Sequence, residues 1–172
     1  MGGLTDEMKQ VLERQRLGFV ATACPDGTSN QSPKGTTTVW DDDHIVCADL
    51  RSLRTTANLK LNPLVGINVV DWFTRKACRF RETATVIESG PLFDELVSFY
   101  NQRGLPDALR RIQTVVTVKV QTALLLVSPA YDRDVTEDRT HWESFYQQIR
   151  QKRKAGIVTR TRIGFRGRAM LL

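Results

Sequence analysis

The chain has 172 residues, 41% hydrophobic and 26% charged, the balance of one soluble globular domain long enough to bury a core without staples. Three widely spaced cysteines, Cys24, Cys47 and Cys78, form no CxxC pair; this excludes a disulfide framework or cysteine-rich metal site, and with no signal-peptide core or bilayer-length apolar run a cytoplasmic protein is expected. The net charge of +6 belongs to the tail: Arg150 to Leu172 holds eight basic residues and no acidic one, leaving 17 basic against 19 acidic residues in the body.

Leu4, Met8, Val11 and Leu12 share one helical face behind Thr5, a possible N-cap, so an amphipathic helix ending before Gly18 is expected. Gly18 to Ala23 reads as a strand. Cys24-Pro25-Asp26-Gly27 reads as a tight turn, and Thr28 to Ser32 as the returning strand. Pro33 marks an edge or bulge. Thr36 to Trp40 continues as strand, Asp41-Asp42-Asp43 turns, and His44 to Ala48 is the next strand. Ser52 is placed to cap a short helix in which Leu53, Ala57 and Leu61 make one apolar face, ended by Asn62-Pro63.

Val65 to Val70 is a dense apolar run, expected to be a strand buried on both faces. Lys76 to Ile87 returns as a long strand. Pro91 opens a second helix with Leu92, Phe93, Leu96, Val97 and Tyr100 inward, and Gly104 stops it. Asp107 to Gln113 suggests a further helical turn, Val115 to Val127 a strand split near Thr122, and Glu137 to Arg150 a last helix with Trp142, Phe145, Tyr146 and Ile149 on one side. Short strands joined by tight turns imply a mainly β fold with peripheral helices, its six or so antiparallel strands closing into a small barrel. Residues 1–149 would form the domain and 150–172 a basic extension.

Two stretches concentrate phosphate-type donors. Ser32, Lys34, Thr36 and Thr37 surround the flexible Gly35, and Arg51, Ser52, Arg54 and Thr55 crowd the start of the short helix. Their strands are hairpin partners across the aspartate turn, so both stretches can meet on one phosphate. Neither GxGxxG nor GxxxxGK[ST] is present.

The segment GFVATACPDGTSNQSPKGTTTVWDDDHIVCADLRSLRTTANLKLNPLVGINVV resembles the pyridoxamine 5′-phosphate oxidase-like, FMN-binding split-barrel family. The likeness lies in the VAT strand and DG turn, the SPKG stretch, the NL and NP pairs before VG, and LVSPAYD near Leu126 to Asp132. It spans roughly residues 10 to 132. The resemblance implies a six-stranded split barrel working as a homodimer, with FMN at the subunit interface. It implies that Ser32, Pro33, Lys34 and Gly35 line the flavin, and that Asp49 and Leu50 flank its ring or ribityl chain. Ser52, Arg54 and Thr55 would hold the phosphate, with Asn58 and Lys76 as further contacts. Thr37 stands where the oxidase branch has a lysine. Glu82 replaces a glycine usual on the returning strand, and the C-terminal Arg-x-His signature of the true vitamin B6 oxidase is missing, so that activity is not supported. An FMN-dependent oxidoreductase acting on a small molecule, with a donor such as NAD(P)H, is the expected function.

Two alternatives stand beside it: a flavin, haem or deazaflavin carrier or sensor without turnover, and polyanion binding through the tail. Phe165 is the only aromatic among the tail's arginines and lysines, which argues against nucleic acid. His44 and His141, the only histidines, read as structural, with a haem-ligand role for His141 left open. No catalytic acid, base or nucleophile is singled out, and no metal site is expected.

Overall fold

The computed structural model describes residues 3–104, 110, 112–128 and 139–154. Helix α1 (Asp6–Gln15) forms where the apolar spacing requires. The Thr5 hydroxyl accepts the Met8 N–H at 3.3 Å, and Met8, Val11 and Leu12 are buried. Strands β1 (Gly18–Ala23) and β2 (Ser29–Lys34) pair as an antiparallel hairpin. Gly27 takes φ 81° at its turn, where the Cys24 N–H donates to the Thr28 carbonyl at 2.8 Å. Pro33 is tolerated because β2 is an end of the sheet and needs no second ladder.

The two-residue β3 (Thr38–Val39) pairs with β4 (His44–Asp49) across the aspartate turn. There follow α2 (Leu53–Leu61), β5 (Leu64–Asp71), β6 (Lys76–Ile87), α3 (Pro91–Gln102), β7 (Thr114–Lys119), β8 (Ala123–Val127) and α4 (Arg139–Lys154). The sheet order is β2-β1-β5-β6-β7-β4-β3, with β8 also on β6. Along one edge β6 pairs with β5. Along the other, its first half pairs with β8 and its last residues, Ala84 to Ile87, with β7. That change of partner on one strand splits the antiparallel barrel. Inward side chains of α1, β1, β5, β6 and β7 make the main core, and Val46, Ala48 and Val115 pack with Leu96 and Tyr100 of α3 in a second cluster.

Some expectations change. Leu53 and Leu61 of α2 are 67% and 73% exposed, and the buried side is Thr55, Thr56, Asn58 and Leu59. The helix is turned by its polar fit: Asn58 and Thr55 meet hydrogen-bonding partners on the β1–β2 hairpin while Leu59 alone reaches the core. Strand β5 is buried on alternate residues rather than on both faces, because nothing among the described elements fully covers its outer side. The strand 115–127 splits near Thr122 into β7 and β8, as expected, and the strand expected at Thr36 to Trp40 is only the brief β3. Helix α4 runs through position 150 to Lys154, so the boundary drawn there falls inside it. Residues 105–109, 111, 129–138 and 155–172, which carry the expected turn after Asp107, the end of LVSPAYD and most of the basic tail, lie outside the described residues, as do the side chains of His141, Trp142 and Phe145. Among the described residues no helix is long and apolar enough to cross a membrane.

Candidate functional site

Beyond the short β3, the sheet closes without a ladder. The end of β2 and the end of β4 approach each other, and side chains bridge the seam. The Thr36 hydroxyl donates to the Ala48 carbonyl at 2.8 Å and accepts the Ala48 N–H at 3.0 Å, taking the place of a strand partner. The Lys34 ammonium meets the Asp49 carboxylate at 2.6 Å, with both side chains about 95% buried or more. The same Asp49 oxygen accepts the Ser52 N–H at 2.8 Å, so the strand's last carboxylate also satisfies the amide at the N-cap of α2. Beside this seam lies a cleft of about 500 Å³ lined by Pro33, Lys34, Gly35, Thr36, Ala48, Asp49, Leu50, Arg51 and Ser52.

The cleft wall is braced from behind. The buried Tyr100 hydroxyl donates to the Thr36 carbonyl at 2.9 Å, and the Thr37 hydroxyl to the Lys34 carbonyl at 2.9 Å. A Cβ on Gly18 would lie 2.5 Å from the Thr37 hydroxyl oxygen; glycine there lets β1 pass close to the wall. Gly35 needs no such exemption. It does not adopt a positive φ, and a Cβ on it would meet nothing within 4 Å.

The two donor stretches do converge, though not as a bare pair of cations. Ser32 and Ser52 stand with their hydroxyls 3.2 Å apart. Ser52 occupies the N-cap position, yet its side chain makes no cap bond; it faces Ser32 instead. Pro33, Lys34, Gly35, Asp49, Leu50 and Ser52 line the cleft. Thr37 is turned onto Lys34 and Gly18. Thr55 and Asn58 face the hairpin: Asn30 Nδ2 donates to the Thr22 and Thr55 hydroxyls at 3.1 and 3.2 Å, and Asn58 Nδ2 to the Thr22 hydroxyl at 3.1 Å and to Cys24 Sγ at 3.5 Å. Arg54 is exposed and outside the lining. Its charge, behind hydrogen bonds from the Thr28 side chain and backbone, helps hold the Asp26 carboxyl below its usual range. Lys76 lies three strands from Lys34 in the sheet order and pairs with Glu7 at 2.9 Å.

Ala48 and Tyr100 contribute to the site beyond the stretches that stand out in the sequence. Ala48 offers no signal of its own. Tyr100 offers one, since a tyrosine on a buried helix face needs a partner for its hydroxyl. His44 is held by Asp41, with Nδ1 at 2.8 Å from its carboxylate. Among the described residues no cluster of metal-ligating side chains forms.

The sequence profile of the pyridoxamine 5′-phosphate oxidase family matches residues 4–125. No curated protein matches the sequence. Among solved structures, HupZ of Group A Streptococcus is 26% identical, with a TM-score of 0.63 over 73% of this chain and 95% of its own. The HutZ heme storage protein of Vibrio cholerae is 19% identical, with a TM-score of 0.58 over 74% and 95%. An FMN-binding protein of Syntrophomonas wolfei is 17% identical, with a TM-score of 0.54 over 72% and 91%. The split barrel is common to all three. With the profile spanning the barrel from the start of α1 to the middle of β8, the chain belongs to the pyridoxamine 5′-phosphate oxidase family.

Proposed function

We propose that this protein binds FMN in the seam cleft and is an FMN-dependent oxidoreductase acting on a small molecule. One observation carries the reading. At the start of α2 the Ser32 and Ser52 hydroxyls, 3.2 Å apart, stand with the exposed Arg51 beside a cleft whose other wall is the Pro33–Thr36 segment. Hydroxyls and a guanidinium at a helix start suit a phosphate ester, and the wall, the end of β2 followed by the turn at Gly35 and Thr36, leaves room beside it for a flat ring. Arg51 takes the phosphate role that the resemblance gives to Arg54, because Arg51 lines the cleft and Arg54 does not. The Syntrophomonas protein, named as FMN-binding, supports the cofactor class through its shared fold.

Haem, the cargo named for HutZ, suits this cleft less well. Among the described residues the lining holds no histidine, cysteine, methionine or tyrosine to serve as an axial ligand. When bound, FMN supplies the electron and hydride chemistry. The chain's part is to hold the phosphate, to orient the ring against Lys34 and Asp49, and to brace that wall through Tyr100 and Thr36. We further propose that the protein works as a homodimer with the cofactor at the interface, takes electrons from a donor such as NAD(P)H, and is cytoplasmic.

The test begins with purified protein. A yellow preparation that releases FMN rather than FAD or haem, sediments as a dimer and is bleached by NAD(P)H supports the reading. Flavin that binds but never exchanges electrons with any donor makes the protein a carrier. A colourless protein that fails to retain added FMN overturns the proposal. Arg51→Ala should weaken FMN binding roughly tenfold or more, the worth of one charged hydrogen bond.

A further inference from the structure

We propose that Asp49 is a specificity-determining residue of the cleft: it fills the anion position at the floor, so that a ligand's phosphate is kept at the outer end and a neutral edge of the ligand enters. The inference rests on the proposed FMN site for its ligand, but its physical basis is this chain's own residues. A lysine ammonium and the backbone N–H at a helix N-cap are the donors that phosphate oxygens seek. Here both converge on one oxygen, Asp49 Oδ1, at 2.6 Å from Lys34 Nζ and 2.8 Å from Ser52 N. The two side chains are only 5% and 3% exposed, so water screens them little.

The floor is therefore neutral as a unit. A phosphate placed against it finds the ammonium's charge already balanced, so it gains no net attraction to offset the loss of its water. Farther out, the Ser32 and Ser52 hydroxyls and the exposed Arg51 bring donors and a positive charge to a phosphate. Among the described residues the Lys34 ammonium spends one of its three N–H donors on Asp49. Its other donors suit a neutral acceptor such as a carbonyl of a heteroaromatic ring. The cleft thus takes a ligand one way round, acidic end outward, and discriminates against ligands with an acidic group at both ends.

The test compares wild type with Asp49→Asn in the full-length chain. Each is titrated with orthophosphate against sodium chloride at matched ionic strength, followed by melting temperature and by ³¹P line broadening. Asp49→Asn is expected to bind orthophosphate at least about tenfold more tightly than wild type. Its melting temperature should climb with phosphate and not with chloride. The gain should vanish in Lys34→Met/Asp49→Asn. Should Asp49→Asn not fold in plain buffer, Asp49→Ser is smaller and keeps an acceptor for the Ser52 N–H. Recovery of either variant in phosphate supports the assignment. Failure of both to fold even in phosphate overturns it, as does a folded variant that ignores phosphate. FMN binding by wild type is measured alongside. A wild type that binds FMN, with no phosphate gain in the variant, sinks the role of Asp49 alone. A wild type that does not bind FMN sinks the cofactor reading, and the phosphate comparison still decides on Asp49.

Discussion

A lysine closed off from water at a sheet edge is stable only with its partner. Lys34→Ala would leave the Asp49 carboxylate nearly buried without its cation, and such a loss costs about 3–5 kcal/mol. Lys34→Met/Asp49→Leu replaces both charges by apolar groups of similar size and should recover most of that cost; urea unfolding of the two variants measures the difference. Cys47 gives a second expectation at this scale. Burial pushes its thiol from 9.0 up to about 12. The folded state therefore keeps a proton that the unfolded chain gives up, so stability is full below pH 9.0 and falls as pH rises towards about 12. The contribution is close to 1.4 kcal/mol per pH unit within that window, and Cys47→Ala should flatten the slope by one proton in pH-dependent urea titrations. Each of these residues stands out in the sequence, Lys34 and Asp49 by resemblance and Cys47 by its apolar strand. That the two stretches meet was legible from the hairpin across the aspartate turn; that Lys34 spends its charge on Asp49 was not, because the burial of both side chains depends on elements distant in sequence.

Among the elements, α2 shows where a hydrophobic period misleads. Leu53, Ala57 and Leu61 keep perfect helical spacing, yet the buried face belongs to Thr55, Thr56, Asn58 and Leu59. Polar groups set the rotation, since Asn58 Nδ2 reaches Thr22 and Cys24, and Thr55 receives Asn30. Leu59 is 3% exposed and joins the main core. Leu59→Ala should cost about 2–5 kcal/mol, whereas Leu61→Ser, at a position 73% exposed, should move monomer stability by no more than about 0.5 kcal/mol. Thermal denaturation of the pair at low protein concentration tests it. The opposite ranking would mean that the helix sits with its leucine stripe inward after all. Elements marked by caps and breakers were legible: Thr5 opens α1, Gly27 turns the first hairpin, Pro91 and Gly104 bound α3. A cap needs only its own neighbours, whereas the facing of a nine-residue helix depends on residues far away in sequence.

For the whole molecule the decisive strand is β6, which carries β5 on one edge and shares the other between β8 and β7. Its length and antiparallel character follow from the pattern of Lys76 to Ile87. Its change of partner does not, because pairings such as Phe80 with Ala123 and Ala84 with Val118 join residues more than 30 apart. The residue that manages the change is Glu82, which looked like a departure from the family pattern. Its side chain is inward and 8% exposed, and Oε1 accepts the N–H groups of Gln121 and Thr122 at 3.0 and 2.6 Å. Those two amides lie in the gap between β7 and β8, where the chain leaves one half of the barrel for the other and has no strand to bond. Glu82→Ala removes two hydrogen bonds to a carboxylate, each worth about 1.5–3 kcal/mol, less what water restores at these exposed residues. Glu82→Gln keeps an oxygen in place and should recover at least half of the loss. Hydrogen exchange gives the sharper reading: the Gln121 and Thr122 amides should lose protection in Glu82→Ala while those of β1 and β5, on the far edge of β6, keep theirs. Equal loss throughout the sheet would mean that Glu82 supports the barrel generally rather than the place where it divides.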